Sequence, residues 1–158
     1  MLLYIVRHAW AGEFGDPRYP NDRLRPLTDE GRSRFSRVVR KLVKRDFHPA
    51  VIATSPLVRC RETADIIAAR VPGKPPIVEM EALAPGSDLT AMLAWSAEQT
   101  SGADLVWVGH MPDVAELTAA MIGDRHALVR FPKGGIAALA CDGAPRAVPS
   151  RRAPRPPD

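Results

Sequence analysis

The sequence predicts a single-domain α/β fold, a three-layer α/β/α sandwich around a mainly parallel central sheet. Short apolar runs of strand length, Leu2–Val6, Val51–Thr54 and Leu105–Gly109, alternate with longer stretches whose apolar residues recur at helical spacing. These runs are apolar throughout, as expected of strands covered on both faces. The chain of 158 residues is long enough for one domain with a substantial core, and its 46% hydrophobic and 25% charged residues are ordinary for a globular protein.

The first strand, Leu2-Leu3-Tyr4-Ile5-Val6, stops at Arg7-His8-Ala9. The stretch from Trp10 to Leu27 has no periodicity and reads as a long loop that leaves directly from His8 and ends in Arg25-Pro26-Leu27-Thr28. Thr28 can cap a helix running to about Asp46, with Phe35, Val38, Val39, Leu42 and Val43 towards the core. Its outer face carries Arg34, Arg37, Lys41, Lys44 and Arg45, a pattern read as a solvated surface. No aromatic side chains interleave to stack on bases, so nucleic acid is not the expected partner.

The strand at Val51–Thr54 leads into a predicted helix from Pro56 to Arg70, with Ser55 as N-cap and Pro56 in its first position. Pro72 to Pro76 breaks the chain before a short strand, Ile77-Val78-Glu79-Met80. A third helix is expected from Asp88 to about Gln99 with Leu89, Met92 and Leu93 buried. The strand Leu105–Gly109 stops at His110-Met111, and Pro112 opens a fourth helix with Val114, Leu117, Thr118, Met121 and Ile122 on one face and Gly123 as its stop. Ile136 to Cys141 reads as the last strand. The domain is placed at residues 1–141. The Pro/Arg-rich remainder, Asp142 to Asp158, has too few large apolar residues to fold alone and is read as a disordered, solubilising tail. There is no internal repeat.

The net charge of +4 lies mostly in the first helix and the tail. No run is long enough to span a membrane, and Met1–Val6 is too short for a signal peptide and has no basic residue before it. A cytoplasmic location is therefore expected, with Cys60 and Cys141 as reduced packing residues.

Arg7, His8, Arg59 and His110 all fall just beyond predicted strand ends, the edge at which open α/β sheets bind ligands. Two imidazoles and two guanidiniums suit a phosphoryl group: one histidine can attack phosphorus while the cations hold its oxygens. Two helices begin at the same edge, after Ser55 and after His110, and would add free N–H groups. A zinc site needs at least three protein ligands, and His8 and His110 come without a third while two arginines oppose a cation. Neither a G-x-S-x-G elbow nor a GxxxxGK[ST] loop occurs.

Four segments in order resemble the motifs of the histidine phosphatase superfamily, the phosphoglycerate-mutase-like fold. Arg7-His8-Ala9 resembles its Arg-His-Gly motif; Ala9 replaces the glycine, a variation compatible with the SixA-like branch of phosphohistidine phosphatases, which the chain resembles within the superfamily. Arg25-Pro26-Leu27-Thr28-Asp29-Glu30-Gly31 resembles its R-P-L-T-x-x-G segment, Ser55-Pro56-Leu57-Val58-Arg59-Cys60-Arg61-Glu62-Thr63 its S-P-x-x-R-x-x-x-T segment, and Gly109-His110-Met111-Pro112 its G/S-H-x-P motif. The resemblance covers Met1 to Cys141. It implies a phosphatase in which His8 is the nucleophile, Arg7, Arg59 and His110 complete the catalytic set, and Arg25 and Met111 join Arg7, Arg59 and His110 in binding phosphate. No metal and no organic cofactor is implied. The implied partner is a phosphohistidine-bearing protein, with phosphate or sulfate as the pocket anion and no membrane; no oligomeric state is specified.

Larger members of the family carry an acidic proton donor after the third strand, where this chain reads Met80-Glu81-Ala82-Leu83-Ala84-Pro85-Gly86-Ser87-Asp88. Pro85 falls where the acid often lies, with Glu81 and Asp88 as the neighbouring carboxylates that could reach. An alkoxide leaving group needs such an acid far more than an imidazole does, which favours P–N over P–O substrates. The short segment between Arg59 and His110 leaves no room for a large cap. The alternatives are a phosphate-ester phosphatase acting on a small molecule or phosphoprotein, and a non-catalytic phosphoprotein-binding module.

Overall fold

A computed structural model describes residues 1–147. It contains five strands and four longer helices: β1 (Leu2–Arg7), α1 (Asp29–Val43), β2 (Val51–Thr54), α2 (Val58–Arg70), β3 (Ile77–Glu79), α3 (Leu89–Ala97), β4 (Leu105–Gly109), α4 (Asp113–Met121) and β5 (Ile136–Ala140). The predicted tail falls largely at 148–158, outside the described residues.

The strands form one sheet in the order β3-β2-β4-β1-β5. β2 and β1 both pair parallel with β4, β3 pairs parallel with β2, and β5 closes the edge antiparallel to β1. The mainly parallel expectation holds. Apolar periodicity cannot give a strand's direction, so the antiparallel edge had no signature in the sequence.

Alternate side chains of each strand feed two cores. Tyr4, Val6, Ile52, Val106 and Val108 pack with Phe35 and Val39 of α1 and Cys60, Ala64 and Ile67 of α2. Leu3, Ile5, Ala53, Leu105 and Trp107 pack on the other face with Met92 of α3 and Val114, Leu117 and Met121 of α4. The result is the predicted three-layer sandwich. Trp107 is fully buried, and its indole N–H donates to Ser96 Oγ at 3.2 Å, so burial leaves no unpaired donor.

The helix boundaries follow local chemistry. Thr28 caps α1 by accepting from the Gly31 N–H at 3.0 Å, and Asp88 caps α3 through the Ala91 N–H at 3.0 Å. Gly123, at φ 78°, takes the left-handed position just past α4. Ile122, expected on the buried face, is half exposed at this end. α2 begins at Val58, two residues later than the sequence suggested, and has no side-chain cap. Ser55 lies two residues before the Leu57 cap position; its hydroxyl accepts from the Leu57 N–H at 3.3 Å and has a second partner described below. No helix among the described residues is long and apolar enough to cross a membrane.

Candidate active site

Three strand ends are brought level by backbone bonds. The His8 N–H donates to the Gly109 carbonyl at 3.0 Å and the Ser55 N–H to the Val108 carbonyl at 2.9 Å. Arg7, His8, Ser55 and His110 therefore leave the same edge of the sheet. β1 and β2 flank β4 there, the kind of position at which open α/β sheets bind ligands.

His8 and His110 face each other with ring centroids 5.5 Å apart and are both buried, at 9% and 3% exposure. His8 Nδ1 lies 2.7 Å from the Ala9 carbonyl oxygen. A carbonyl only accepts, so Nδ1 carries the proton and Nε2 keeps its lone pair. Burial lowers the His8 pKa to about 4; the bond to Ala9 pulls upward, and Arg59, Arg7 and Arg25 push it down again. His110 is lowered to about 3, first by burial, then by Arg59 and His8. Both rings are neutral at neutral pH.

His110 Nε2 shares a hydrogen bond of 2.8 Å with Ser55 Oγ, and the Cys60 sulfur lies 3.4 Å from the same nitrogen. Cys60 is thus more than a packing residue of α2, since it supports the His110 ring. Its thiol is pushed up to about 12 by burial and stays protonated. The cysteines Cys60 and Cys141 are both free.

The guanidiniums come from three directions. Arg7, at the end of β1, donates from Nη1 to the Phe131 carbonyl at 2.7 Å. Arg59, in the first turn of α2, is buried and donates to the Asp22 carbonyl at 2.9 Å and to the Asp22 carboxylate at 3.0 Å. Arg25 is also buried. It bonds the Asp22 carboxylate at 2.8 Å and the Gly12 carbonyl. The long loop therefore does bring a third arginine to the site, and it supplies Asp22 as the carboxylate between Arg25 and Arg59. Burial alone would raise the Asp22 carboxyl, but hydrogen bonds and charge from the two arginines outweigh it and hold the group below the usual carboxylate range.

The Nε–H groups of Arg7 and Arg59 are buried without an acceptor. Unpaired buried donors are rare and costly. A tetrahedral oxyanion seated against these cations would supply the missing acceptors.

A second layer of contacts fixes the first. Thr63 Oγ1 accepts from the Ala9 N–H at 3.0 Å and donates to the Arg59 carbonyl at 2.7 Å, tying the His8 loop to α2. Glu62 accepts from the Leu27 N–H at 2.7 Å and so anchors the end of the long loop. Within that loop only a single 3-10 turn, Asp22–Leu24, and an isolated bridge between Ala11 and Leu27 are regular. Met111 sits at the rim with its side chain 37% exposed.

The acidic residues after β3 have partners of their own. Glu81 pairs with Arg23 at 3.2 Å, and Asp88 caps α3. Asp113, at the start of α4, accepts from the Gly86 and Ser87 N–H groups and pins the Pro85 loop.

The chain has known relatives. The family model described as Histidine phosphatase superfamily (branch 1) matches residues 3–85. An uncharacterised protein of Picosynechococcus sp. is 40% identical over 142 residues, covering 88% of this chain and 84% of that one. Among solved structures, a protein from Agrobacterium tumefaciens assigned to phosphohistidine phosphatase SixA superposes with a TM-score of 0.74 at 26% identity, covering 91% of this chain and 94% of that one. A protein histidine phosphatase SixA in complex with tungstate superposes with a TM-score of 0.76 at 21% identity, covering 92% and 94% of the two chains.

Proposed function

Because this chain belongs to the histidine phosphatase superfamily, we propose that it hydrolyses phosphohistidine on a protein through a covalent phosphohistidine intermediate on His8. In the first step the lone pair of His8 Nε2 attacks phosphorus. The substrate's P–N bond breaks and its electron pair returns to the leaving imidazole, which departs neutral when its ring already carries the proton. In the second step water attacks phosphorus, the P–Nε2 bond breaks, inorganic phosphate leaves, and the water proton passes to phosphate or solvent. Arg7, Arg25 and Arg59 hold the phosphoryl oxygens and offset the charge that builds on them. His110, with Nε2 engaged by Ser55, has Nδ1 left for a phosphoryl oxygen, and Met111 flanks the entrance.

The preference for a P–N bond rests on one observation. Among the described residues, the carboxylate hydrogen-bonded to the site's cations is Asp22, and Arg25 and Arg59 keep it ionised. An ionised carboxylate cannot protonate a leaving alkoxide, and Glu81 and Asp88 are otherwise engaged. An imidazole leaving group makes no such demand. The tungstate bound by the SixA protein supports a phosphate-like oxyanion, phosphate or sulfate included, as the pocket's ligand. The free thiols of Cys60 and Cys141 support the cytoplasm as the place of action.

The test is hydrolysis of a radiolabelled phosphohistidine domain by wild type and His8→Ala, beside a phosphoserine peptide. Loss of label that requires His8 and spares phosphoserine is expected. Cleavage of the ester with phosphohistidine untouched would instead make the protein an ester phosphatase. No cleavage of either would leave a phosphoprotein-binding module.

A further inference from the structure

The hydroxyl of the fully buried Ser55 touches the ring of His110 and has no step of its own in the reaction argued above. It is held from two sides. The Leu57 N–H donates to Oγ at 3.3 Å, and His110 Nε2 lies 2.8 Å from the same oxygen. Oγ is also within hydrogen-bond reach of the Cys60 thiol. The thiol itself donates to the Gly109 carbonyl at 3.6 Å. Its sulfur lies 3.4 Å from His110 Nε2 and 3.8 Å from Nδ1.

These contacts decide where the proton of His110 sits. The ring is neutral at neutral pH, so one nitrogen donates and the other accepts. An amide N–H only donates. Ser55 therefore accepts from Leu57 and still has its own proton to place. The choice lies between an imidazole nitrogen at 2.8 Å and the sulfur of Cys60, and sulfur is the weaker acceptor. The hydroxyl donates to Nε2, and the ring proton is left on Nδ1. The opposite tautomer would make Oγ accept two N–H groups and give its proton to sulfur. It would also turn a bare lone pair on Nδ1 towards an anion held by the arginines. Among the described residues, Nδ1 has one hydrogen-bonding neighbour, the distant Cys60 sulfur.

We propose that Ser55 is a positioning residue whose hydroxyl fixes His110 as the neutral Nδ1–H tautomer, so that His110 donates to a phosphoryl oxygen and supplies no proton to the leaving group. The proposal rests on the phosphatase reading of this pocket and gives a role to a residue that reading leaves without one. A neutral imidazole N–H is a good hydrogen-bond donor and a very weak acid. As a donor it stabilises the charge that builds on the phosphoryl oxygens. As an acid it cannot stand in for the carboxyl group that an alkoxide leaving group requires. One serine thereby serves anion binding and also closes the remaining route by which the site could protonate an ester's leaving group.

The experiment reads the tautomer directly, by long-range proton–nitrogen NMR of the isotope-labelled full chain at neutral pH, with the His110 signals assigned by their loss in His110→Gln. Wild type should show a protonated Nδ1 and an unprotonated Nε2. Ser55→Ala, which removes one buried oxygen, should lose that pattern, and tungstate should bind it about tenfold more weakly than wild type. Cys60→Ala removes the competing sulfur and should keep the wild-type tautomer. A wild-type ring protonated on Nε2 overturns the proposal, and that measurement needs no variant to fold. So does a Ser55→Ala protein that keeps the wild-type tautomer, or a Cys60→Ala protein that loses it. A ring protonated on Nδ1 in a wild type that hydrolyses neither phosphohistidine nor ester would refute the proposed reaction while keeping the role of Ser55 in holding an anion.

Discussion

The imidazole of His8 donates from Nδ1 to the carbonyl of its own neighbour, Ala9, at 2.7 Å. The contact sets the tautomer, and it is itself held in place, because the Ala9 N–H donates to Thr63 and Thr63 donates to the Arg59 carbonyl. The His8 loop and Arg59 are thereby fixed to each other through one hydroxyl. Thr63→Val keeps the shape and removes the bridge. It leaves the buried Ala9 N–H unpaired, which should cost about 1–3 kcal/mol in urea unfolding and reduce turnover. Thr63→Ser should restore much of both. A valine variant as stable and active as wild type would remove the bridge from the account.

Burial of two neutral histidines predicts an acid-sensitive fold. Their folded pKa values, about 4 for His8 and about 3 for His110, lie below the usual value of 6.5. Between those limits the unfolded chain binds more protons than the folded one, so stability is full above the unfolded pKa and falls with the pH. From pH 7 to pH 5 each ring should account for a loss of about 1–2 kcal/mol. Denaturation at the two pH values should show a smaller loss in His8→Asn than in wild type. An equal loss in both would mean that His8 titrates normally in the fold.

Asp22 offers its carboxylate to the same guanidiniums that would hold a phosphoryl group. Asp22→Asn removes that negative charge, and tungstate or phosphate should then inhibit about three- to tenfold more strongly, an effect that shrinks at high salt. Weaker inhibition by the variant would show that Asp22 chiefly positions the arginines.

Gly31 carries a steric prediction. A Cβ there would come within 2.2 Å of the Trp10 carbonyl oxygen, which also accepts from the Thr28 N–H at 3.0 Å. Gly31→Ala must therefore shift the start of α1 or the chain after His8. A loss of about 2 kcal/mol or more is expected in thermal or urea unfolding, although alanine is the better helix former by about 1 kcal/mol. Unchanged stability would mean that the loop yields freely.

Much of the site was legible because its residues follow buried strands. Arg7, His8, Ser55 and His110 stand where three apolar runs stop, and a sheet brings such ends together without further information. Arg59 follows in the first turn of α2. Asp22 and the Phe131 carbonyl were not legible. The loop that carries Asp22 has no periodicity, and a backbone carbonyl leaves no trace in the residue type. The later start of α2 has a similar origin. Ser55-Pro56 has the composition of a helix start, but the Ser55 hydroxyl pairs with a histidine 55 residues away. Likewise Arg34, read as part of a solvated face, lies over the Trp10 ring at 4.2 Å.

The central claim is that His8 attacks through Nε2. Incubating the protein with a labelled phosphohistidine domain, quenching in alkaline denaturant and mapping the label by mass spectrometry tests it directly. The account predicts transient label on His8 at Nε2, since Nδ1 is committed to Ala9, and none in His8→Ala. Label at Nδ1, or turnover that survives in His8→Ala, would contradict it.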